Sequence, residues 1–128
     1  MGQQQILLVI VGVIIVGLAI AVGLALFSAQ SVASNRDAMI TDLQHISMLA
    51  YQFRITPRAM GGGQGDYSLF VIPSQMQSNS NGTYSITEAQ PNNLALQAVS
   101  ANSAANVITV TVDSHGKLGG LTFAGEFQ

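Results

Sequence analysis

The stretch ILLVIVGVIIVGLAIAVGLALF, residues 6–27, decides the fold of this chain. It contains no charged and no polar side chain. About 20 apolar residues at ~1.5 Å rise are enough to cross a bilayer core as a helix. The helical pattern does not stop at Phe27. SAQSVASNRDAMITDLQHISMLAYQFRI, residues 28–55, has neither Pro nor Gly before Thr56-Pro57. A residue that precedes proline disfavours α geometry, which places the helix end there. One helix over 1–56 is predicted, ~75 Å long for ~50 residues. It is apolar on every side over 6–27 and one-faced afterwards.

The one-faced half carries Val32, Met39, Leu43, Ile46, Ala50 and Phe53 at three-to-four spacing, a stripe that faces a core. Asn35 and Asp42 border the stripe, and Gln44, His45 and Gln52 lie on other faces. In the apolar half, Gly17, Ala21 and Ala25 recur every fourth residue. Gly12, Ala19 and Gly23 fall within ~40° of one another at ~100° per residue. Stripes of small residues let helices approach closely in an apolar medium, although Gly and Ala are also common in membrane helices generally. Each of the three glycines weakens the helix by ~1 kcal/mol relative to Ala. Ser31-Val32-Ala33 has the small residues of a signal-peptidase site, but MGQQQ lacks the basic n-region and the apolar run exceeds the usual ~7–15 residues. Arg36 is the only basic residue flanking the apolar run, so charge counting would place the following domain on the cytoplasmic side. Asp37 offsets it directly.

Beyond the helix, RAMGGGQGD (58–66) reads as a flexible connector, with residues 57–66 as its span. It lacks the Lys-Ser/Thr ending of a phosphate loop. From Tyr67 the period becomes two. YSLFVI (67–72), TYSIT (83–87), LALQAVSA (94–101) and VITVTVD (107–113) read as strands, and LTFAGEF (121–127) as an edge-like fifth. Asn81-Gly82 suits a tight hairpin turn, and Pro91-Asn92-Asn93 and Ser114–Lys117 read as further turns. Strands joined by short turns form an antiparallel meander over 67–128. Its apolar face needs a cover, and the one-faced half-helix is the cover at hand. The expected class is α+β, a long helix on an antiparallel sheet of four or five strands.

Charged residues make up 8% of the chain, with net charge −2, well under the ~25% common in soluble domains. Arg36, Arg54, Arg58 and Lys117 are too few for a nucleic-acid footprint. A weakly charged surface repels copies of itself poorly. The chain has no Cys, which excludes disulfides, thiolate catalysis and Cys-ligated zinc. No titratable constellation stands out. His45 lies three residues from Asp42 and can hydrogen-bond it. His115 sits in a turn, and a metal site would need Asp66, Glu88 or Asp113 to converge. Asp66 with its loop carbonyls is a calcium alternative, and Asn81-Gly82-Thr83 matches a glycosylation sequon. Phe27, Tyr51 and Phe53 are spaced as packing residues. No enzyme activity, cofactor or metal is expected.

An apolar N-terminal helix (Ile6–Phe27), a one-faced continuation (Val32 to Phe53), a Gly-rich loop and then strands resemble, in that order, a type IV pilin or related pilin-like subunit. The resemblance covers the whole chain as architecture. It implies a filament with the apolar half-helices bundled at its centre, drawn from a membrane-inserted precursor pool by pilus assembly machinery and displayed outside the cell. The chain departs from the family's pattern in two places. Only Met1-Gly2 precedes Gln3, with no basic leader, and no Glu occurs before Glu88. Gln3, Gln4 and Gln5 offer amide hydrogen bonds where the family uses its acid, bonds that are strong where water is absent. The partners expected are other copies of the chain and, before assembly, the membrane. The alternative is a single-pass membrane-anchored accessory protein whose small β domain binds a partner in a secretion or envelope complex.

Overall fold

The computed structural model describes residues 2–127. Its contacts divide the chain into two units, Met1–Ala33 and Ser34–Gln128. Helix α1 (Gly2–Ile55) has 54 residues and contributes to both. Strands β1 (Gly82–Gln90), β2 (Asn93–Ser100), β3 (Val107–Val112) and β4 (Leu118–Ala124) follow. They form one antiparallel sheet in the order β1-β2-β3-β4, a plain meander. The class is therefore α+β, as the hydrophobic pattern requires.

In the second unit the core lies between the helix and one sheet face. Met39, Leu43, Ile46 and Ala50 are fully buried. The sheet answers with cross-strand rows: Tyr84, Ala98, Ile108 and Phe123 in one, Ile86, Leu96 and Val110 in the next, Leu94, Val112 and Leu118 in a third. The opposite face carries Ser85, Gln97, Thr109 and Thr122 as a polar row. This is the period-two alternation of a sheet with one face in the core. Gly82 sits where a side chain would strike the Val99 carbonyl and crowd the Met39 methyl. Phe53 is half-buried, its ring centroid 5.6 Å from that of Phe70. Val32, in the first unit, is half-buried.

Some local readings of the sequence are corrected by the structure. Residues 67–72 are not a strand. The Phe70 amide donates back to the Tyr67 carbonyl in a turn, and the Tyr67 amide donates to Pro91. Tyr67, Phe70 and Ile72 are buried while Leu69 and Val71 are exposed. A β-rich composition reports fit to a half-buried surface rather than an intrinsic backbone preference, and here burying Tyr67 and Phe70 beside Arg54 and Phe53 of the helix outweighs ladder pairing. The described residues form four strands, within the four or five expected, and the last lies at Leu118–Ala124 rather than 121–127, with Gly125–Phe127 turning Phe127 inward. Finally, Asn81-Gly82 is not a two-residue hairpin centre. The turn runs over residues 79–82, with the Asn79 amide donating to the Gly82 carbonyl at 3.0 Å. The Asn79 side-chain oxygen accepts from the Asn81 and Gly82 amides at 2.8 and 3.1 Å.

The Gly-rich stretch is also no loose connector. It folds back over the end of α1, where helix carbonyls lack partners. Gly63 donates to the Phe53 carbonyl at 2.8 Å, Gly65 to Arg54 at 2.6 Å and Gln64 to Thr56 at 3.0 Å. A side chain on Gly63 would collide with the Asp66 carbonyl and press on the Phe53 ring. Gly62 and Gly63 are there for close approach, whereas Gly61 and Gly65 supply positive φ.

Candidate assembly surface

Every Ile, Leu, Val and Phe from Ile6 to Phe27 is exposed, from 45% at Val11 to 74% at Phe27. The helix is long and apolar enough to cross a membrane. Burial of one such side chain is worth ~1.5–3 kcal/mol in water. Leaving this many in water would exceed the ~5–15 kcal/mol stability of a typical domain. A segment of this composition is suited to an apolar environment. The small residues point the same way. A Cβ added at Gly12, Gly17 or Gly23 meets nothing within 4 Å. Ala19, Ala21 and Ala25 are likewise exposed, as are Gln3, Gln4 and Gln5.

The second unit is joined to its helix by polar contacts that sequence periodicity did not identify. Asp42 is central. One of its oxygens accepts from Tyr84 Oη, from Asn79 Nδ2 at 2.9 Å and from Asn81 Nδ2 at 3.1 Å. Partial burial raises the Asp42 carboxyl, but the three donors together hold it below the usual carboxylate range. Burial and the facing carboxylate push the Tyr84 phenol well above its ordinary value. The signal available in sequence was an acid at the edge of a core stripe with no base four residues on. What it lacked was the identity of the donors, which arrive from 37 to 42 residues away. His45 is exposed and is not one of them.

Arg54 ties the distal turns together. Its Nη1 donates to the Ser114 carbonyl at 2.8 Å and its Nη2 to Asn92 Oδ1 at 3.1 Å. The guanidinium lies 5.4 Å from the Tyr67 ring centroid, and Tyr67 Oη donates to the Asp113 carbonyl at 2.7 Å. Near the start of the unit, Ser100 Oγ donates to Asn35 Oδ1 at 2.6 Å, and Asn35 Nδ2 to the Asn81 carbonyl at 3.1 Å. Arg36 stacks 5.5 Å from the Phe123 ring centroid. Asp113 accepts from the His115 and Lys117 amides at 2.8 and 2.9 Å, which lowers its carboxyl. Asp66 is lowered by Ser68, whose amide it accepts. Among the described residues no three of His, Asp and Glu converge. Asp66, Glu88, Asp113 and His115 are used locally or stand apart.

These shifts predict an acid response. The folded-state value of Asp42 is depressed below its reference of 3.8. Its contribution is therefore complete above that reference and is lost as pH falls through the folded value, because the unfolded chain binds the proton first. The lowered Asp66 and Asp113 act with the same sign. The urea midpoint of the detergent-solubilised chain should be flat from pH 7 to 5 and fall below about pH 4. In Asp42→Asn that fall should be smaller, and an identical fall would remove Asp42 from this role.

Comparison with protein-family models, with curated proteins and with solved structures gives no match.

Proposed function

We propose that the chain is the structural subunit of an extracellular, type IV pilus-like filament, polymerising through its N-terminal helix. The observation that carries this reading is the exposure of every large apolar side chain from Ile6 to Phe27, on a helix whose later half anchors a small domain of low charge. In a bilayer the segment is satisfied by lipid, and Gly and Ala stripes give neighbouring copies a close approach. In a polymer outside the cell the same side chains bury one another, and the hydrophobic effect then makes extraction of a subunit very costly. Gln3, Gln4 and Gln5 give the helix start amide donors and acceptors for a neighbouring copy.

The test is negative-stain microscopy of the sheared extracellular fraction, with the chain identified by intact mass. Thin filaments made of this chain are expected. Its recovery solely from detergent-extracted membranes, without filaments, would instead favour the single-pass anchor with a partner-binding β domain.

A further inference from the structure

We infer that Asn81 is a modification site, an asparagine set to convert to aspartate or isoaspartate and held back by the Asp42 contact. The sequence supplies the reactive pair, Asn81 followed by Gly82. Without a side chain on the second residue, its backbone nitrogen has the least hindered route to the asparagine side-chain carbon. The Gly82 nitrogen loses its proton to water and attacks Asn81 Cγ. The new C–N bond closes a succinimide, the Cγ–Nδ2 bond breaks and ammonia leaves. Water then adds to one of the two imide carbonyls and opens the ring, leaving an aspartyl residue at this position or its isoaspartyl isomer.

The folded turn blocks the first step from four sides. Asn81 Nδ2 donates to Asp42 Oδ2 at 3.1 Å, which fixes the side chain. The Gly82 amide, the nucleophile, donates to Asn79 Oδ1 at 3.1 Å. The Asn81 carbonyl accepts from Asn35 Nδ2 and from the Ala101 amide, both at 3.1 Å. Gly82 itself is buried in β1 against Val99. Reaction therefore requires local opening of the turn. The product cannot restore what was lost. A carboxylate in place of the Asn81 amide would face the Asp42 carboxylate, and like charges at hydrogen-bond distance repel. The contact between helix and β1 turn is thus released in one direction only, and subunits that spend time open are marked permanently. The same amide would be the acceptor of the glycosylation sequon, and it is engaged in the folded chain.

The chemistry of this turn does not depend on polymer formation. The full chain in detergent is incubated at mildly alkaline pH, digested with trypsin, and the Ala59–Lys117 peptide is followed for the one-dalton gain and for isoaspartate. Folded wild type should keep Asn81, while the same chain in urea converts there. Tyr84→Phe, which removes one donor to Asp42, and Asp42→Ala should both convert faster than folded wild type, Asp42→Ala by roughly tenfold, the opening expected when hydrogen bonds to a charged group are lost. Circular dichroism confirms that the variants are folded, and Tyr84→Phe alone suffices if Asp42→Ala is not. Equal rates in folded and urea-treated wild type, or conversion at other asparagines in preference to Asn81, would overturn the inference.

Discussion

The Ala21→Arg variant is expected to fold its second unit normally and to form no polymer. Ala21 is exposed on the apolar half of α1, one helical turn from Gly17 and from Ala25. Far-UV circular dichroism should therefore be unchanged, and the urea midpoint should stay within ~0.5 kcal/mol of wild type, as for surface substitutions generally. Between copies the situation reverses. An arginine at the middle of a membrane helix costs ~2.5–3.5 kcal/mol on insertion scales. In a polymer core it would be a buried charge without a partner, repeated in every subunit. Sheared fractions should contain no filaments, with the variant retained in membranes or degraded. Filaments of normal abundance from this variant would end the case for the small-residue stripe as the packing surface.

The second large effect is expected in the core of the other unit. Leu43 is fully buried between the helix and the sheet. Leu43→Ala should cost ~2–5 kcal/mol, the transfer term plus the cavity left behind. That is a large part of the ~5–15 kcal/mol available to a domain. The urea midpoint should drop with the slope unchanged. Leu69→Ala is the control. Leu69 belongs to YSLFVI, is 73% exposed, and its truncation should change stability by no more than ~0.5 kcal/mol. A strand at 67–72 with Leu69 paired into the sheet would make the two costs similar. A loss below ~1 kcal/mol for Leu43→Ala would contradict the placement of the helix stripe.

Periodicity alone was enough for the long helix, its apolar and one-faced halves, its end near Thr56 and the strands of β1, β2 and β3, with β4 displaced by three residues from the 121–127 expected. These are local properties. A run of apolar residues without breakers, a 3.6-residue stripe and a two-residue alternation each follow from how side chains leave a helix or a strand. β1 still runs three residues past TYSIT, through Glu88, Ala89 and Gln90. Those residues have little strand preference, but pairing with Asn93, Leu94 and Ala95 recruits them after a bulge at Thr87. Only the tertiary structure decided the rest. Residues 67–72 have strand composition but bend, because Tyr67 and Phe70 are held by Asp113, Arg54 and Phe53. The Gly-rich stretch is ordered by the carbonyls at the end of α1, which accept from Gly63, Gln64 and Gly65, and at Gly62 and Gly63 a side chain would collide with neighbouring backbone. Asp42 became the centre of a polar contact because Asn79, Asn81 and Tyr84 arrive from a turn and a strand far along the chain. Such contacts depend on which backbone groups remain unpaired once the local elements have formed, a condition set by the whole fold rather than by any window of sequence.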